Sequence, residues 1–184
     1  LKKLNEEDAS LSARFTNLLV GANKAGALVV SDQSDLAGLA TNDLAAYAQA
    51  ARTRNLEGKW MIPLQNTTQQ PALGSLTERD TRQKLFEASW NRAEKNDSND
   101  TREIVLRMAA LRAEKAKLMG FQSFAAWKLQ DQMAKTPETV DRFFEQLIPS
   151  VVAKASQEAA DIQKVIDEQK GGFQLQPWDW DYYA

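Results

Sequence analysis

Apolar residues recur at intervals of three and four from Thr136 to Gly172. They stand at Val140, Phe143, Phe144, Leu147, Ile148, Val151, Val152, Ala155, Ala159, Ile162, Val165 and Ile166. That spacing holds them on one stripe of a single long helix, and no extended arrangement does the same. Thr136 is placed to cap its start, and Pro137 sits where a missing N–H costs nothing. Glu138 suits the positive first turn. Gly171 and Gly172 stop it, because glycine enters the left-handed region cheaply. A helix of this length spans roughly 50 Å, the width of a sizeable domain. Pro149 lies inside it and predicts a kink near Glu145. The stripe predicts that Phe144 is core, with a cost of about 3–5 kcal/mol on truncation to alanine.

The remaining segments read as further helices with one short extended piece. Residues 3–20 form a helix on Leu4, Leu11, Phe15, Leu18 and Leu19. Ala27 to Val30 is either its end or a brief strand, since short apolar runs are ambiguous. Ser31 to Ser34 is a polar break, and Leu36 to Leu39 a turn. Thr41 or Asn42 caps a helix to about Arg54 that buries Leu44, Tyr47, Ala48 and Ala51. Gly58 to Gln65 is the strand candidate, with Trp60, Ile62 and Leu64 on one side and Pro63 confining it to an edge. Asn66 to Gln70 reads as a polar loop ended by Pro71, followed by a helical turn to Leu76. Thr77 to about Lys95 is a helix offering Leu85, Phe86, Ala88, Trp90 and Ala93 for burial. Asp100, with Glu103 three residues on, reads as a capping box for a helix carrying Ile104, Val105, Met108, Leu111 and Leu118. Gly120 ends it. Ser123 caps a short helix with Phe124, Trp127, Leu129 and Met133. The fold class is therefore mainly α: a multi-helix domain over residues 1–184 with a minor short β segment.

Composition narrows the chemistry more than the fold. The 184 residues contain no histidine and no cysteine. This removes the commonest general base, the commonest zinc ligand, thiolate ligands and disulfides. Acid–base work would fall to carboxylates, lysine or tyrosine. A net charge of −2 gives no basic surface for nucleic acid or an anionic membrane. No apolar run approaches the roughly 18 residues of a membrane span. The absence of cysteine fits a cytoplasmic protein and is compatible with a periplasmic one. Leu1 in the first position, and an aromatic run with no polar tail after it, predict that both ends are cut from a longer protein.

Several groups invite functional readings. Asp179 and Asp181, with Asp161, Asp167 and Glu168 upstream, form an acidic set of the kind that binds divalent cations. An i, i+2 pair faces apart on a helix, however, and no glycine-containing calcium loop surrounds it. Asn66 to Gln70 offers hydrogen-bonding side chains to a ligand, against the plainer reading of a loop that satisfies its own turn. The Trp60–Leu64 edge is open to strand addition, against protection by Lys59 and Pro63. Arg79, Arg82, Arg92, Arg102, Arg107 and Arg112 read as solvated or paired with acidic neighbours. Trp178 to Tyr183 reads as core or interface, since its acidic neighbours argue against base stacking.

Particular strings are more specific than these patterns. Gly58-Lys59-Trp60-Met61-Ile62-Pro63-Leu64-Gln65-Asn66-Thr67-Thr68-Gln69-Gln70-Pro71 resembles a stretch of the bacterial peptidyl-dipeptidases related to thimet oligopeptidase. So do Arg92 to Asp97, Leu118 to Phe121, Met133 to Glu138, and Gly171-Gly172-Phe173 with Pro177 to Tyr183. Their order and spacing agree across nearly the whole chain, nearest to the dipeptidyl carboxypeptidase branch.

The resemblance implies a zinc metallopeptidase that removes dipeptides from the C-terminus of short peptides. It also implies a fold of two mainly helical lobes around a deep channel. In the family the zinc is held by H-E-x-x-H on a helix plus a downstream glutamate. Its histidines at i and i+4 face one way, and its glutamate activates the bound water. A chain without histidine has no such motif. The resemblance therefore assigns no catalytic, cofactor-binding or metal residue within 1–184. It implies instead a helical non-zinc region preceding the catalytic part, with Zn ligands elsewhere and short peptides and the catalytic region as partners. The rival expectation is a stand-alone helical interaction module with no activity.

Overall fold

The computed structural model describes residues 1–184, the side chains of Asn66 and Thr67 excepted. Eight α-helices and a two-stranded sheet account for most of the backbone, which agrees with the expected mainly α class with a minor β segment. The helices are α1 (Lys2–Ala25), α2 (Thr41–Arg52), α3 (Asn66–Ser75), α4 (Arg79–Trp90), α5 (Arg102–Leu118), α6 (Phe124–Leu129), α7 (Pro137–Glu168) and α8 (Trp180–Tyr183). The strands are β1 (Leu28–Val30) and β2 (Trp60–Ile62). The chain divides into two compact units, one of residues 1–18 and 100–158, the other of 19–99 and 159–184.

The second unit holds the larger core. β1 and β2 pair antiparallel, with Leu28 opposite Ile62, Val29 opposite Met61 and Val30 opposite Trp60. Met61 and Ile62 are both buried, so the expected alternation of Trp60, Ile62 and Leu64 gives way at Met61. With one partner each, both strands are edge strands, and Pro63 falls just outside the ladder. Val30, Leu36, Tyr47, Ile62, Leu64, Leu73, Leu76 and Leu85 pack into one cluster over this sheet. Ile162 and Ile166 of α7 are also buried. Between β1 and α2 the chain turns through Gly38 at φ +93°, where a Cβ would lie 2.1 Å from the Ser75 carbonyl oxygen.

α3 departs from expectation, because Asn66 to Gln70 is its first turn and a half, not a loop, and Pro71 lies inside it. A proline there deletes a backbone donor. Side-chain bonds hold the element nonetheless. The Thr68 hydroxyl donates to the Pro63 carbonyl (2.7 Å), the Tyr47 hydroxyl to the Thr68 carbonyl (3.3 Å), and the Ser89 hydroxyl to Gln69 Oε1 (2.7 Å). Ala72, Leu73 and Leu76 then bury the far side.

In the first unit, α5 buries Ile104, Leu111 and Ala116. Glu7 and Asp8 of α1 meet Arg107 and Lys115 of α5 as ion pairs. Arg107 also reaches Glu114. α5 stops at Gly120, which takes φ +82° so that Phe121 N–H can bond the Ala116 carbonyl (2.9 Å). Ser123 caps α6 as expected, its Oγ accepting from Ala126 N–H at 3.1 Å. Asp100 serves the start of α5 by accepting from Arg102 N–H at 3.0 Å, one residue earlier than the N-cap, Thr101. At α2 the N-cap is Ala40, and Thr41 is the first helical residue.

α7 is continuous through Pro149 and ends at Glu168, three residues before the glycines, because Lys170 takes the left-handed conformation at φ +56°. Its expected stripe is buried only at Ile162 and Ile166. Phe143, Phe144, Leu147, Ile148, Val151 and Val152 are exposed, which corrects the core assignment of Phe144. Val105, Leu118 and Met133 are likewise exposed, and Trp90 ends α4 stacked on Phe86 with 74% of its surface free.

Candidate functional site

The most concentrated charge chemistry lies on α4 and the last ten residues. Arg79 and Arg82 are one helical turn apart, so their side chains leave α4 on the same face. Opposite them, residues 177–179 form a short 3-10 turn opened by Pro177 and fixed by reciprocal bonds between Gln176 and Asp179. This turn sets Asp179, 0% exposed, between the two guanidinium groups.

Every acceptor position of that carboxylate is engaged. Oδ1 accepts from Arg79 Nε at 3.0 Å and from Arg82 Nη2 at 3.2 Å. Oδ2 accepts from Arg79 Nη2 at 2.9 Å and from Gln176 N–H at 3.1 Å. Arg82 is 1% exposed and also donates from Nη1 to the Leu76 carbonyl (2.7 Å) and the Thr77 carbonyl (3.1 Å). The remaining faces of the cations are aromatic. Arg79 lies 4.0 Å over the Phe173 ring, and Arg82 lies 4.2 Å over Tyr182. Both distances permit cation–π attraction.

A carboxylate held this way is neither a base nor a metal ligand, since its roughly four lone-pair sites are filled by charged and backbone donors. It works as a clamp that fastens residues 173–183 to α4. Sequence reasoning read Arg82 as surface or helix-paired and Asp179 as a weak cation candidate. The available signal was the Trp178-Asp179-Trp180 string itself: a carboxylate set between two large rings is drawn into the interior and must be paired there.

The other acidic candidates are dispersed. Asp181 is exposed, Asp161 accepts from Lys164 (2.9 Å), and Asp167 accepts from Gln163 (2.9 Å). Among the described residues no three or more carboxylates gather to hold a metal. With histidine and cysteine absent from the sequence, the donor set does not fit a zinc ion. In the Asn66–Gln70 segment, Thr68 and Gln69 spend their side chains on Pro63 and Ser89, and the side chains of Asn66 and Thr67 lie outside the described residues. Trp178 packs edge-on to Phe86. Beside it, Phe86, Trp90, Ala159, Leu175, Pro177 and Trp180 line an apolar groove of about 640 Å³.

Perturbed titrations lie away from the clamp. Burial, and then the Asp43 charge, raise the Tyr47 phenol above its ordinary value. Hydrogen bonding from Arg107 lowers the Glu7 carboxyl, and hydrogen bonding to Asp161 raises the Lys164 ammonium. The Glu7 shift is reciprocal, since the same bonds raise the Arg107 guanidinium, which marks an ion pair and not an acid–base pair.

Comparison with known proteins supplies what the geometry does not. The chain is 54% identical over all 184 residues to a protein named dipeptidyl carboxypeptidase from Escherichia coli, and covers 27% of that protein. It is 50% identical over the same residues to the dipeptidyl carboxypeptidase of Salmonella typhimurium, again 27% of its length. Oligopeptidase A of Escherichia coli is 27% identical over 180 residues, 96% of this chain and 26% of the relative. The chain thus spans about a quarter of the length of the curated relatives it matches. The model of peptidase family M3 matches residues 72–184, from within α3 through the Asp179 clamp to the last residue, and the chain belongs to that family.

Proposed function

We propose that residues 1–184 are a non-catalytic helical part of a longer zinc metallopeptidase that releases dipeptides from the C-terminus of short peptides. In this reading the segment walls the substrate channel, and the zinc ligands and the general base lie outside it. The observation that carries the reading is the 54% identity, unbroken over the whole chain, to a dipeptidyl carboxypeptidase.

The donor inventory supports the division of labour. Water activation at zinc needs nitrogen, sulfur or free carboxylate ligands with an open position. This chain has no histidine, no cysteine, and a buried carboxylate already occupied by two arginines. What it does supply is mostly helical backbone, suited to the wall of a channel that admits short peptides and excludes folded ones. We place the intact enzyme in the cytoplasm. Among the described residues no helix is long and apolar enough to cross a membrane.

The test is to read the coding sequence past Ala184 and assay the encoded protein on N-terminally blocked short peptides. The expected result is a downstream H-E-x-x-H and dipeptide release that a chelator abolishes. The isolated 184 residues should turn over nothing, and the chelator should leave their melting temperature unchanged. A stop codon after Ala184 would favour the stand-alone interaction module, and zinc-dependent turnover by the short chain would overturn the division of labour.

A further inference from the structure

We draw no further inference here: the strongest candidate, the apolar groove of about 640 Å³ that Phe86 and Trp90 of α4 form with Ala159 of α7 and with Leu175, Pro177 and Trp180, is an unpartnered apolar face, and nothing in the structure shows what covers it.

Discussion

Replacing Asp179 with alanine leaves the Arg82 guanidinium inside the protein with no counter-charge, since Arg82 is 1% exposed. Removing one partner of a buried, hydrogen-bonded ion pair costs about 3–5 kcal/mol. Urea denaturation of Asp179→Ala should show a loss of that size, whereas Asp181→Ala, at an exposed position, should stay within about 0.5 kcal/mol of the parent. Glu7 makes a prediction of a different kind. Arg107 donates to it from Nε at 2.6 Å and Nη2 at 2.9 Å, and lowers its carboxyl below the ordinary 4.5. A carboxylate whose folded value is depressed contributes stability above its unfolded value, and loses it as pH falls through the folded one. Glu7→Gln should therefore melt below the parent at pH 7. The gap should begin to close below 4.5 and vanish in stronger acid. Thermal melts across that range check both sign and window.

At the level of elements, Leu85 on α4 and Phe144 on α7 look equivalent in sequence and differ in structure. Leu85 is fully buried, and truncation to alanine should cost about 2–5 kcal/mol. Phe144 is 48% exposed, and Phe144→Ala in the 184-residue chain should change a chemical denaturation midpoint little, within about 0.5 kcal/mol. This pair also shows what was legible beforehand. Helix existence, the Ser123 cap and the Gly120 stop follow from local rules, and the structure agrees with all three. Which face of a helix finds a partner is a tertiary matter, so periodicity placed α7's stripe on one side without saying that most of it is uncovered. Pro71 misled for a related reason. Its local preference argues against a helix interior, but bonds from Tyr47 and Ser89, 24 residues upstream and 18 downstream of it in numbering, outweigh that preference. The string around Asp179 hinted at burial, but its partners were illegible because they lie 97 and 100 residues away.

Across the whole molecule, that separation has consequences for dynamics. If the clamp fastens residues 173–183 to α4, the amides of α8 should exchange with solvent at the rate of the middle of α4, not at the faster rate usual for a chain end. Hydrogen exchange read by mass spectrometry should show the two rising together, and Asp179→Ala should release α8 alone. The same spacing bears on how the chain is made. Arg82 leaves the ribosome 97 residues ahead of the carboxylate that neutralises it. Closing a loop of that size costs about 4 kcal/mol of chain entropy before any contact repays it. During translation α4 must wait with a bare cation on its inner face, so the surroundings of Arg82 consolidate only after Asp179 has emerged.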